Sequence, residues 1–120
     1  MDEIKIWDMR LQRRWFDAIV FHGKTVEGRK ESPRWTGIKI GDIIRFISDE
    51  KNNTIKKRVI AVRKYDTITE FLEHEGLIHV LPGIHSIEGG VRDIYKSPPM
   101  SWTSEEVSKY GVLAIEFGDC

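Results

Sequence analysis

Between Leu11 and Lys30 the chain changes hydrophobic period, and that change limits the folds open to it. Leu11, Trp15, Ala18, Ile19 and His22 recur at i, i+4, i+7, i+8 and i+11, which is the stripe of an amphipathic helix. Gly23 follows in the C-terminal position that glycine favours. Residues 24–30 then read as extended. In an extended segment side chains alternate, so Thr25, Glu27 and Arg29 share one face, and Lys24 at the turn can swing toward it.

The rest of the chain keeps mixing the two periods. Ile4, Ile6 and Trp7 suggest a short opening strand, and residues 31–37 a loop. Residues 43–47 and 55–65 are rich in β-branched and aromatic side chains, and the polar run 49–53 joins them as a hairpin. In the second strand, Val59, Ala61, Arg63 and Tyr65 are expected opposite Ile60, Val62 and Lys64. Thr67 and Glu70 form a capping box for a helix that stops at Gly76. Residues 77–82 are a short apolar segment closed by Pro82-Gly83. Ser86 caps a helix carrying Ile87, Val91, Ile94 and Tyr95, although Gly89-Gly90 weakens it and Pro98-Pro99 ends it. Thr103 and Glu106 start a further helical turn or two, and 112–117 give a last strand. Strands interrupted by helices without a βαβ rhythm predict an α+β fold with a mixed or antiparallel curled sheet.

At 120 residues, 1–120 is expected to be a single domain, and 40% apolar with 32% charged residues is the balance of a globular chain. No apolar run approaches the roughly 20 residues of a membrane span. The N-terminus has no basic region followed by an apolar one, so the chain reads as cytoplasmic. The one cysteine, Cys120, allows no internal disulfide. Two Asn and one Gln among many Lys, Arg, Glu and Ile are a bias seen in heat-adapted proteins. The net charge of zero hides an asymmetry: residues 1–65 carry 16 Lys/Arg against 9 Asp/Glu, or +7, and residues 66–120 carry 3 against 10, or −7. Kept apart, the halves make one basic face; interleaved, they make a neutral surface.

The segment Gly23 to Arg29 concentrates the candidate chemistry. A carboxylate, a forked guanidinium and an ammonium in one small volume suit a phosphate, a nucleobase edge or a polarised carbonyl. The plain alternative is an exposed strand whose Glu27 and Arg29 neutralise each other. Trp35, in a loop after this segment, has no periodic reason for burial: it reads first as a rim residue plugging the barrel end, and otherwise as a platform for stacking on a base. Arg13 and Arg14 precede the stripe residue Trp15, and one of them can face the pocket beside Lys24. The four histidines lack metal-site spacing and no phosphate-binding glycine motif is present, so neither metal nor cofactor is expected.

Gly23, Lys24, Thr25, Val26, Glu27 and Arg29, with Trp35, the run 40–46 and the closing 110–117, resemble an ASCH domain. The resemblance spans nearly the whole chain. It implies a small PUA-like β-barrel of mixed or antiparallel strands with peripheral helices, and a cleft between the first helix and the barrel. RNA or a nucleotide is the partner it implies, with Lys24, Thr25, Glu27, Arg29, Arg14 and Trp35 as the binding residues. The alternative is a hydrolase acting through the same cleft on a modified nucleoside or on RNA, with Lys24 and Glu27 as catalytic candidates. One bacterial branch of the family deacylates a modified cytidine with a Lys and a Thr three residues later. Here the third residue after Lys24 is Glu27, and Thr25 follows Lys24 directly, so the chain departs from that branch.

Overall fold

The computed structural model describes residues 3–97 and 102–120, so the helix break expected at Pro98-Pro99 lies outside the described residues. In chain order the elements are β1 (Ile6–Leu11), α1 (Arg13–Phe21), β2 (Val26–Lys30), β3 (Ile43–Ser48), β4 (Thr54–Tyr65), α2 (Ile68–Glu75), α3 (Leu77–Val80), α4 (Ile87–Lys96), α5 (Ser104–Tyr110) and β5 (Val112–Gly118). The strands form one sheet in the order β1-β3-β4-β5-β2. β1 runs parallel to β3 and every other pairing is antiparallel, which makes a mixed half-barrel with helices around it. β1 and β2 are therefore its two edges.

Local chemistry explains most element boundaries. Thr67, Ser86 and Thr103 each accept a hydrogen bond from the backbone N–H three residues on, at 3.0, 3.0 and 3.1 Å, so all three proposed N-caps operate. α4 runs through Gly89-Gly90 without a break because Gly90 is a packing requirement. A Cβ there would sit 2.8 Å from Leu72 Cδ1 and 3.2 Å from Leu77 Cδ2, so only glycine lets α4 lie against α2 and α3. Residues 77–80 fold as the helical turn α3, where the sequence showed only an apolar segment.

Two expectations about side-chain direction need correction. Leu11 belongs to β1 and not to the helix stripe. It alternates with Trp7 and Met9 toward the core, while Ile6, Asp8 and Arg10 point outward, and α1 begins only at Arg13. The two faces of β4 are not continuous either. A bulge between Val59 and Ala61 shifts the register, so that Val59 pairs with Phe117 and Ala61 with Glu116. Val59 is fully buried while Ile60 is 47% exposed.

Beneath the β1–β3 end of the sheet lies a buried carboxylate. Asp42 accepts hydrogen bonds from Lys5 N (3.1 Å), Trp7 Nε1 (2.9 Å), Lys39 N (3.1 Å) and the Lys39 ammonium. Burial would raise the carboxyl, but the hydrogen bonds from Lys39, Trp7 and Lys5 outweigh it and hold it at about 2. The folded pKa lies below the ordinary 3.8, so the linkage stabilises the fold above that value and is lost as pH falls through about 2. Asp42→Asn keeps the shape but turns an acceptor oxygen into a donor facing donors. It should lower stability by about 2 kcal/mol or more at neutral pH, and thermal melts of the two proteins should converge toward pH 2.

Candidate functional site

The site begins with a buried ammonium. Lys24 follows α1, and its backbone N–H donates to Ala18 O at 3.1 Å. Its side chain, 1% exposed, donates to Val26 O at 2.7 Å, to Val80 O at 2.5 Å and to Glu27 Oε1 at 3.1 Å. An ammonium has three protons, and these acceptors take all of them. Desolvation lowers the Lys24 pKa, and the Glu27 carboxylate works against that shift. Lys24 therefore has no proton left for a ligand. It fixes Glu27 and ties β2 to the end of α3.

Glu27 stands between two cations. Its second oxygen, Oε2, lies 3.0 Å from Arg29 Nη2, and its side chain is 12% exposed. Arg29 Nη2 also donates to Arg10 O at 3.1 Å. One guanidinium nitrogen thus bridges the edge strands β1 and β2 where the half-barrel stays open. Arg29 Nε is buried and has no hydrogen-bond partner among the described residues. Two cations and one carboxylate leave a net positive charge in the group.

These residues form the floor of a cleft of about 90 Å³, well above the space one water needs. α1 supplies Trp15 as one wall, α4 supplies Asp93 and Ile94 as another, and Trp102 closes part of the rim. Phe71 reaches the floor through Gly28, where a Cβ would sit 2.7 Å from its ring. The arrangement offers spare acceptor lone pairs on Glu27, the partly exposed guanidinium of Arg29, and aromatic residues beside both.

The structure brings Lys24, Glu27 and Arg29 together and separates them from Thr25. Thr25 precedes β2, and its backbone is held by His79 O and Phe117 N at 2.9 and 3.0 Å. It borders a different hollow, beside Arg63, Glu75 and Glu116. Trp35 is 7% exposed and packs against Trp7 at 6.0 Å between ring centroids, so its ring backs Arg29 at 5.4 Å and offers no open face to a base. Arg14 lies over Trp15 at 4.2 Å and pairs with Asp93 at 3.2 Å, whereas Arg13 turns to Asp17 and Glu50. Trp102, Asp93 and Phe71 escaped sequence reasoning because nothing in their local pattern separates a cleft wall from a core. Among the described residues no group of three His, Cys, Asp or Glu side chains is placed to hold a metal.

The sequence matches the ASCH domain family over residues 9–120. No curated protein matches it. The hypothetical protein PH0355 is 37% identical, with a TM-score of 0.83 over 96% of this chain and 99% of that one. Protein PF0455 from Pyrococcus furiosus is 39% identical, with a TM-score of 0.72 over 93% and 94%. ASCH from Zymomonas mobilis shares the fold at 19% identity, with a TM-score of 0.64 over 96% of this chain and 68% of that one.

Because Glu27 is nearly buried and neutralises a buried lysine, Glu27→Gln should leave Lys24 short of a counter-ion and lower stability by about 3–5 kcal/mol. Chemical denaturation at neutral pH measures it. A loss below about 1 kcal/mol would mean that Lys24 finds another partner.

Proposed function

The chain belongs to the ASCH domain family, which is associated with RNA binding, and on that premise we propose that its cleft binds a nucleotide or one unpaired base of an RNA strand. The observation that supports this most is the partly exposed Arg29 guanidinium beside the spare lone pairs of Glu27 in one cleft. A donor and an acceptor on adjacent positions suit the edge of a base, and every base presents such groups. Trp102, only partly buried, adds aromatic surface against which a ring stacks, while Trp15, 7% exposed and covered by Arg14, backs the wall. The enclosed volume suits one ring and not a duplex.

In this reading Lys24 is a positioning residue, Glu27 accepts from an amino group, and Arg29 donates to a ring nitrogen or carbonyl. Thr25 and Trp35 act no more directly than through the backbone and through Arg29. The hydrolase alternative would use Glu27 as base with Lys24 or Arg29 stabilising an oxyanion. The geometry favours binding, since Glu27 already serves as counter-ion to two cations and Lys24 has no free proton. Product analysis of modified nucleosides and short RNAs incubated with the protein separates the two, because turnover would establish the hydrolase.

Arg29→Lys keeps the charge but loses the Nε donor and the planar fork. It should weaken nucleotide or single-stranded RNA binding by about ten- to a hundred-fold, a hydrogen bond to a charged group being worth roughly 1.5–3 kcal/mol. Calorimetric titration tests this, and unchanged affinity would remove Arg29 from the binding surface.

Affinity for a short single-stranded RNA should also fall as salt rises, with a slope near 0.7 per phosphate contacted. Titrations at several salt concentrations give the slope. A flat dependence would limit the ligand to an uncharged nucleoside.

A further inference from the structure

We propose that the Asp93 carboxylate stands in for a ligand phosphate: it occupies Arg14 in the empty cleft, and a nucleotide displaces it. This rests on the reading of the cleft as a nucleotide site. Arg14 and Asp93 are 79 positions apart in sequence, and their contact at 3.2 Å links α1 to α4 across the cleft. Asp93 lines the cleft itself, as does Trp15, on which the guanidinium of Arg14 rests.

Three features make this pair exchangeable. It uses one nitrogen, Nη1, so the fork that binds a phosphate with two parallel hydrogen bonds remains open. Both groups reach solvent, at 50% and 26% exposure, so their attraction is screened and weak. The Trp15 ring holds the guanidinium in place whether or not Asp93 is bound. The leaving carboxylate has water to enter.

The other cations near the cleft have partners of their own: Arg10, which lines the cleft, is turned to Asn52 at 3.1 Å and to Asp49 at 4.0 Å. Lys24 has its three protons on protein acceptors, and Arg29 Nη2 is divided between Glu27 and Arg10 O. Arg13 is paired with Asp17 and Glu50. A phosphate entering beside a base on the Glu27–Arg29 floor meets Asp93 on the α4 side, and Arg14, held on the Trp15 ring, is the cation that replacing Asp93 makes available. Asp93 has a second consequence: its negative charge repels phosphate until Arg14 is released, so the cleft discriminates against weakly seated anions.

The test uses the four ribonucleoside 5′-monophosphates, the four nucleosides and inorganic phosphate, with the full chain, Asp93→Asn, Arg14→Gln and the double variant. Calorimetry gives the ratio of monophosphate to nucleoside affinity for each protein. Asp93→Asn should raise that ratio roughly two- to five-fold, the worth of an exposed ion pair converted to a binding ratio. Arg14→Gln should bring the ratio close to one, and Asp93→Asn should add nothing in that background. Inorganic phosphate should shift the Trp15 indole signal saturably in Asp93→Asn and not in Arg14→Gln. An equal gain with and without Arg14 would show a general charge effect and overturn the proposal. Nucleosides that bind with no dependence on phosphate would overturn it while leaving the base-binding cleft intact. If neither nucleosides nor monophosphates bind any of the four proteins, both readings fall.

Discussion

The fold around the cleft depends on satisfying one buried ammonium. Lys24 leaves water almost completely, and a charge in that position is tolerated only where acceptors replace its hydration. The carbonyls that do so, Val26 O and Val80 O, belong to β2 and to the end of α3, while the Lys24 backbone bonds to Ala18 in α1. One residue thereby fixes three elements, and those elements carry the cleft. Desolvation and the opposing pull of Glu27 meet at this nitrogen, which makes the carboxylate a structural necessity before it is a ligand group.

The same economy appears at the open seam of the half-barrel. Edge strands present unpaired backbone groups that invite unwanted pairing. Here Arg29 on β2 reaches Arg10 O on β1, so a side chain and not a strand spans the gap. Gly28 beside it gives its missing Cβ space to the Phe71 ring, which packs α2 against the seam. The gap that remains is the cleft. Its shape follows from incomplete closure: a closed ladder would have left no room between β1 and β2.

Much of this was legible in the sequence wherever a local rule decides the structure. The capping residues Thr67, Ser86 and Thr103 needed only their own three-residue neighbourhoods, and the hairpin of β3 and β4 needed only its β-branched runs and polar turn. The grouping of Glu27 with Arg29 followed from strand alternation. What failed were inferences that tertiary contacts override. Leu11 fits a helical stripe in sequence, yet β1 claims it through parallel pairing with β3, a partner 37 positions away. Thr25 falls outside the cleft because the strand starts one residue later and α3 captures its backbone. Trp35, which the sequence left between a rim plug and a stacking platform, is buried against Trp7, another distant residue. No pattern within a window of 18 residues contains those partners.

Part of the charge asymmetry along the chain is bridged by ion pairs between its halves. The basic half supplies α1 and four strands, and the acidic half supplies α2, α4, α5 and β5. Ion pairs cross between them at Arg14–Asp93, Lys30–Glu106, Lys57–Asp119, Arg63–Glu75 and Arg63–Glu116. Charges neutralised by near neighbours leave little field beyond a Debye length of about 8 Å at physiological salt. On the reading proposed above, a ligand is recognised at short range, where desolvation strengthens each hydrogen bond, by Arg29 and Glu27. The Arg63 pairs show what the cleft avoids. There Glu75 accepts from Arg63 Nε, Arg63 Nη2 and Tyr65 Oη, and those hydrogen bonds lower its pKa; a group so fully satisfied has little left to offer a ligand. In the cleft Glu27 keeps spare lone pairs and the Arg29 guanidinium stays partly exposed, and on the reading proposed above those open positions separate a binding surface from a structural corner.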